Sequence, residues 1–378
     1  MKIYQFRKGE KMTKITRTSA LTARHKDLGG KFEEYIRMGV PMTYNTDPRD
    51  EHDAVRDAAG MYDFTAFLKY RVKGPDAAAV LNHAVTFDVT KINPGQSKYG
   101  PFLRETGVIC DDGIVFNLGN NEYMVVHGDG CARAMAELSA EGKDAVVEYD
   151  FWTHLISLQG PKALELLDPH TPVDLPAMKY FHHEKTEIFG CPCVLSRTGF
   201  SGERGYEMFV DPQYACDVWD NILEKGKDMG VMACSVNSVF PLRMEAALLW
   251  RRFDLMENTP WEVNMGWSVH LDKGDFRGKE AVVAAKGKER FKLAGIEVDL
   301  DHALSGGEKL MIDGKEVGRV HDKPAWSHRL KKSLAIVRLD PELTATGTRL
   351  EVAGDAGTCM ATVVRFPVYD TEKTRTHK

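Results

Sequence analysis

Two acidic places in this chain have residue types and spacing that could do chemistry. The first is Cys110-Asp111-Asp112-Gly113, where adjacent carboxylates precede the apolar run Ile114-Val115-Phe116. Burying neighbouring carboxylates is costly unless each is paired or put to use. An aspartate in such a turn can also cap its own backbone, a role that suits Asp111. The second place is Arg197-Thr198-Gly199-Phe200-Ser201-Gly202-Glu203-Arg204-Gly205-Tyr206-Glu207-Met208-Phe209-Val210. Glycine recurs there at every third position, as turns with positive φ or close backbone approach require. Read as a strand, the run that follows sets Tyr206, Met208 and Val210 on one face and Glu207 with Phe209 on the other. A carboxylate is thereby fixed at the mouth of a sheet. The same pattern also describes an ordinary hairpin ending in a solvated glutamate. It is not a dinucleotide fingerprint, because the spacing is G-x-x-G-x-x-G and no helix follows.

The elements that must position these groups can be read in outline. Residues 27–38 and 47–59 carry the signals of two helices. Residues 70–81 and 155–166 echo each other as strand, Gly-Pro turn and short helix, with proline pre-set for a first helical turn. Two such units suggest paired α/β subdomains rather than a solenoid. Strands are predicted at 99–103, 113–118 and 123–126, the last two joined by a Gly119-Asn120-Asn121 turn. A helix over 214–229 should end at Gly230, and another over 238–249 must hold Pro241 in its first turn. Basic, polar residues 286–290 mark a boundary. Beyond it, alternating runs at 294–298, 309–312, 334–337, 349–352 and 361–364 predict a small all-β domain. Residues 1–12 are basic and polar, end on a second methionine and lack a secretory apolar segment, so they read as an extension.

Composition narrows the class. A chain of 378 residues exceeds one ordinary core, and 43% hydrophobic with 28% charged residues is that of a soluble globular protein. No run approaches the ~18 apolar residues of a membrane span. A formal charge of −5 argues against nucleic acid as a main partner. The seven cysteines are scattered, without C-x-x-C or metal-ligand spacing, and read as reduced thiols of a cytoplasmic protein that holds no metal.

Residues 197–210 resemble the T-G-Y-T-G-E-x-G-[FVY]-E-I stretch of the glycine-cleavage T-protein family, the tetrahydrofolate-dependent aminomethyl and methyl transferases. Met61-Tyr62-Asp63-Phe64-Thr65, Arg104-Glu105-Thr106-Gly107 before Asp111-Asp112, and Ser157-Leu158-Gln159-Gly160-Pro161 fall in that family's order. So do Leu242-Arg243-Met244-Glu245-Ala246, Asn264-Met265-Gly266-Trp267 and Asp275-Phe276-Arg277-Gly278-Lys279-Glu280, so the resemblance covers nearly all of the chain beyond Thr13. It implies an α+β fold, with two α/β subdomains in residues 13–285 and a C-terminal β-barrel in 286–378, arranged as a three-lobed ring around folate. The implied cofactor is tetrahydrofolate, without metal or flavin, since no Rossmann segment precedes the folate portion. Glu207 would receive the pterin's N3–H and 2-amino group in bidentate fashion, although a pair with an arginine such as Arg197 stays open. Tyr206 and Tyr369 would border the folate, the latter through Phe366-Pro367-Val368-Tyr369, which is similar to the family's closing segment. Asp112 would be the catalytic carboxylate, steadying cationic character near the reactive nitrogens. Glu203, taken as the more exposed turn position, has no ligand role.

Departures from the family concern the donor. The T-protein stretch A-R-D-S-L-R-L-E-A carries a ligand-contacting arginine that falls on Val239 here, and its aspartate falls on Phe240. Asp-Asp-Gly also replaces Asp-Asp-Leu. Arg243 and Glu245 read as structural, because i,i+2 residues on a helix point apart and each needs its own partner. Trp267 reads as packing. Tyr99, Trp250 and Trp261 sit near motifs whose family counterparts face the cavity. They could hold an onium centre through cation–π contact, at ~0.5–2 kcal/mol each, or serve as core aromatics. The expectation is a cytoplasmic demethylase moving methyl from a small N-, S- or O-methylated compound to N5 of tetrahydrofolate, with no nucleic acid or membrane partner. One alternative is the glycine-cleavage aminomethyltransferase, which would add a lipoyl carrier protein. The other is a folate-binding iron–sulfur assembly factor, whose K-G-C-Y-x-G-Q-E hallmark is absent.

Overall fold

Both Gly-Pro units form, and each places its strand inside a different sheet. In the structure, a computed structural model that describes residues 15–355 and 357–377, Leu68–Lys73 leads to the helix Ala77–Ala84, and His154–Gln159 leads to Ala163–Leu167. The extension read at residues 1–12 lies outside the described residues. Gly160 shows why these turns need glycine: its φ is +140°, and a Cβ there would sit 2.5 Å from the Ala58 carbonyl oxygen.

The first strand belongs to a five-stranded sheet in the order Ser97–Leu103, Ile109–Gly119, Glu122–His127, Leu68–Lys73, Val146–Asp150. Its central hairpin turns on Asn120 and Asn121, both at positive φ (53° and 56°), as a tight twisted connection requires. The second strand belongs to a six-stranded sheet in the order His183–Ile188, Cys191–Ser196, Gly205–Val210, His154–Gln159, Ala59–Asp63, Val231–Ala233. The helix Pro212–Gly226 covers the back of that sheet through Trp219 and ends beyond a short 3₁₀ turn at Gly230, φ +81°. In the C-terminal lobe Lys292–Val298 pairs with both Gly357–Val364 and Lys332–Leu339, which closes six strands into a barrel around Ile296, Leu310, Val337 and Leu350. The fold is therefore α+β, two α/β subdomains and a closed β-barrel.

Four expectations are corrected. Residues 27–38 do not form one helix. The helix Thr22–Asp27 stops at Gly29-Gly30, and the chain turns into a hairpin of Lys31–Tyr35 and Met38–Thr43. A Cβ on Gly30 would stand 2.6 Å from the His25 carbonyl oxygen, so the close approach that ends the helix depends on glycine. The helix containing Pro241 runs Val236–Glu245, so the proline lies in its interior. It removes the donor that would have reached the Asn237 carbonyl, a loss tolerated because the helix is packed on every side. Asp111-Asp112 is not a turn but part of the strand Ile109–Gly119. Finally, Cys110 and Cys131 are not separate thiols: strand and helix cap bring their Cα atoms to 6.0 Å, and they form a disulfide.

Candidate active site

The inner faces of both sheets, the segment 246–251, the barrel edge and the closing segment 366–377 surround one cavity of about 740 Å³. Strand parity decides what enters it. Tyr206, Met208 and Val210 go to the core between sheet and helices, and Glu207 with Phe209 goes to the cavity. Glu207 is held between Ser196 and Ser157 on the flanking strands and is 7% exposed. Thr198 Oγ1 donates to its Oε2 at 2.5 Å. Burial pushes its carboxyl up to about 7, against the Thr198 bond and the charge of Lys69. Among the described residues no lysine or arginine bonds to it. Lys69 donates to the carbonyls of Thr65 and Phe67, and Arg197 to those of Met178 and Thr376.

Asp112 enters the same cavity from the other sheet. Tyr99, two residues along the neighbouring strand from the partner of Asp112, donates its hydroxyl to Asp112 Oδ2 at 2.8 Å. Burial, and then the charge of Asp111, push the Asp112 carboxyl up to about 7. Asp111 is wholly buried and fully engaged. It pairs with His127 Nδ1 at 2.8 Å and accepts from the backbone N–H groups of Ala132 and Asp112. Gly113 explains its own departure from the family pattern, since a Cβ there would sit 2.7 Å from the Val126 carbonyl oxygen. Arg251 ties this wall together, pairing with Asp129 and donating to the Cys110 carbonyl.

A third wall is aromatic. Trp250 meets Tyr35 edge-on at 6.0 Å, lies parallel to Phe240 at 5.4 Å and stands edge-on to Phe200 at 6.3 Å. Val239 lines the cavity beside it. Tyr369 also lines it, with the Arg56 guanidinium 4.0 Å above its ring.

Several placements differ from expectation. Tyr206 is on the far side of its strand from Glu207, its hydroxyl bonded to the Leu175 carbonyl, so it does not border the cavity. Trp261 is not a lining residue either: it donates Nε1–H to the Val282 carbonyl at 2.7 Å and packs against Gly266. Trp267, read as packing, is 62% exposed and stands at the cavity, with its ring 6.4 Å from that of Tyr99. Glu203 is 4% exposed rather than an open turn position, and pairs with Arg56 at 2.9 Å and Arg375 at 2.6 Å. Arg243 and Glu245 each have their own partners, Asp254 for one and His52, Arg56 and Ser327 for the other. Lining residues that sequence reasoning missed include Tyr35, Phe67, Asp129 and Arg251. Phe64, Asn264 and Met265 line it too, and each lies inside a quoted motif that carried a local signal.

Reduced folate fits these residues. A carboxylate in an apolar wall with one hydroxyl donor is under-satisfied, and two parallel N–H donors would complete it. The second carboxylate and the aromatic wall border the same enclosed space.

Three lobes around a cavity with two uncompensated carboxylates define the architecture of a folate-dependent transferase. The descriptions "GCVT N-terminal domain" and "Glycine cleavage T-protein C-terminal barrel domain" match residues 21–273 and 292–370. The "Heme-dependent oxidative N-demethylase gamma subunit" of Ectopseudomonas mendocina is 39% identical over 96% of this chain and 98% of its own. The "Aminomethyltransferase" of Saccharopolyspora erythraea is 34% identical over 91% of this chain and 96% of its own. The fold is that of the glycine cleavage system aminomethyltransferase T from Bartonella henselae, with a TM-score of 0.87 at 23% identity over 96% of this chain and 99% of that one. The chain belongs to the glycine-cleavage T-protein family and is an enzyme of tetrahydrofolate-dependent one-carbon transfer.

Proposed function

We propose that this enzyme passes to tetrahydrofolate a carbon carried on a nitrogen, at the aminomethyl level of oxidation, the amine and the carbon's other substituent leaving with the two hydrogens displaced from the folate nitrogens. That reading replaces the expectation of methyl transfer to N5, because relatives named aminomethyltransferase run nearly the full length of the chain. The N-demethylase subunit is likewise named for carbon leaving nitrogen. The observation that carries the proposal is the pair Glu207 and Asp112, brought from two sheets into one cavity and both held near pKa 7.

Tetrahydrofolate supplies the nucleophilic nitrogens. Glu207, fixed by its strand and by Thr198, receives the pterin edge and sets its orientation. Tyr369 borders the bound ring system. Asp112, with a carboxyl near neutrality, can hold or return a proton at Oδ1 or Oδ2 while Tyr99 keeps it aimed. Trp250, Phe64 and Phe67 keep water from a carbon that would otherwise be lost to hydrolysis. Val239 gives an apolar surface at the donor end, which favours a small untethered aminomethyl donor over one tethered to a lipoyl carrier protein. Residues 13–285 would carry the folate site and 286–378 would close it, in a cytoplasmic enzyme.

Incubation with tetrahydrofolate and a panel of amine, aminomethyl and methylated donors, read by mass, tests this. The expected product is 5,10-methylene-tetrahydrofolate. A 5-methyl product would restore the methyl-transfer reading, and silence across the panel would favour the iron–sulfur assembly factor.

A further inference from the structure

Away from the cavity, helix Pro48–Asp57 meets the loop after barrel strand Ala325–Ser327, and there three ligand-type side chains converge. The geometry points to a binding site for one divalent ion of the zinc class, held by His52 Nδ1, the Asp53 carboxylate and His328 Nε2. These three atoms lie within 4.8 Å of one another, and none of the three residues lines the cavity.

The argument begins with His52, whose side chain is wholly buried. Its Nε2 lies 3.1 and 3.0 Å from the two oxygens of Glu245. A ring nitrogen flanked by two carboxylate oxygens carries the hydrogen, so in the neutral imidazole the lone pair is on Nδ1. That lone pair faces Asp53 Oδ1 at 3.3 Å, an oxygen with no hydrogen to offer. Either a second proton or a cation must lie between them. His328 Nε2 reaches the same oxygen at 2.8 Å, with the two rings 4.7 Å apart. Tetrahedral zinc separates its nitrogen and oxygen ligands by ~3.4 Å, close to what these side chains already show.

The surroundings match a metal site in a second way. A metal-bound histidine commonly donates its other N–H to a carboxylate, which fixes the ring; Glu245 does this for His52. Ser327, next to His328 in the chain, donates to the same Glu245 at 2.6 Å, so the carboxylate that fixes the His52 ring also holds the strand end from which His328 follows. Asp53 and His328 reach the surface, with side chains 42% and 16% exposed, which gives an ion a way in and room for water as fourth ligand. The neighbour that competes is Arg329, 3.5 Å from Asp53 Oδ1, and it also has Asp57 at 2.8 Å. Asp53 and His328 are 275 positions apart in the chain, so an ion here would staple the helix Pro48–Asp57 to the barrel. Sequence spacing could not have shown it.

The test uses the whole chain after chelator treatment, titrated with Zn²⁺ and separately with Co²⁺. The expected result is one equivalent bound, a visible cobalt spectrum of tetrahedral type and a rise in Tm with zinc. His328→Ala should weaken binding more than about a hundredfold, since even outer-shell losses reach that size, and should abolish the Tm rise. Asp53→Asn, on an exposed side chain, is the second variant should His328→Ala fail to fold. Neither residue belongs to the cavity, so one-carbon transfer and folate binding should be unchanged in both. Binding of no ion by the wild-type chain, or equal binding by the variants, overturns the assignment.

Discussion

A carboxylate in an apolar wall holds its charge only by what it touches, and Glu207 touches one hydroxyl. Replacing it with glutamine keeps the shape but puts a donor where the pterin edge presents donors. Glu207→Gln should therefore weaken tetrahydrofolate binding by about 1.5–3 kcal/mol, the worth of a charged hydrogen bond. Calorimetry showing unchanged affinity would remove Glu207 from the folate site. Asp112→Asn should instead lower turnover ~10²–10⁴-fold, the usual contribution of a placed proton carrier, with folate affinity little altered. Equal turnover in the two proteins rules that role out. Both carboxyls also predict a pH response of the ligand-free protein. Their folded pKa values, near 7, lie above the unfolded values near 4, so the folded state holds more protons between those limits. Stability should then fall as pH rises from 5 to 8, and Glu207→Gln should flatten that slope in Tm measured against pH.

Elements were legible where one local rule decided them. Asn120-Asn121 had to turn a hairpin, the two Gly-Pro pairs had to join strand to helix, and parity had already set Tyr206 opposite Glu207, so Tyr206 belonged to the core from the start. Residues 27–38 misled because charged and apolar residues there satisfy a helical spacing, while Gly29-Gly30, through backbone contacts, end the helix. Asp111-Asp112 looked like a turn because two acids and a glycine are turn residues. Only the partners of Asp111, on another strand and a helix cap, let the pair sit within a strand. Asp129, Tyr35 and Arg251 reach the cavity from loops and strands distant in sequence, so no spacing could have shown them. Gly113 gives this scale its test. Its missing Cβ makes room for the Val126 carbonyl and His127 across the pair. Gly113→Ala should cost about 1–3 kcal/mol as overpacking does, seen as a lower midpoint in denaturant. A neutral outcome would mean the two strands separate freely, and that Asp112 is not rigidly placed.

For the whole molecule, the question is what keeps the lobes around one cavity, and Arg56 lies where the lobe of the six-stranded sheet meets the closing segment and the barrel. From the helix Pro48–Asp57 it bonds Glu203 and the Ser201 carbonyl of the Gly-rich loop, Glu245 and the Leu242 carbonyl of the helix Val236–Glu245. The closing segment joins through Arg375, which bonds both Glu203 and the Arg56 carbonyl, and through Tyr369 beneath the guanidinium. The barrel joins through Ser327 on Glu245. Such a buried network is strong only while complete, because one lost partner leaves an uncompensated charge, at about 3–5 kcal/mol. Arg56→Leu should therefore lower the thermal midpoint by many degrees and loosen the lobes together, with weaker folate binding although Arg56 touches no reacting atom. The pH dependence identifies the cause. In the wild type, Glu245 is depressed to about 2, so its contribution is present above the unfolded pKa and is lost only as pH falls toward 2. Without Arg56 the same carboxyl should rise, and the variant should recover stability relative to wild type as pH falls from 7 to 5. A deficit that stays constant across that range would mean lost packing, not unpaired charge, separates the variant from the native protein.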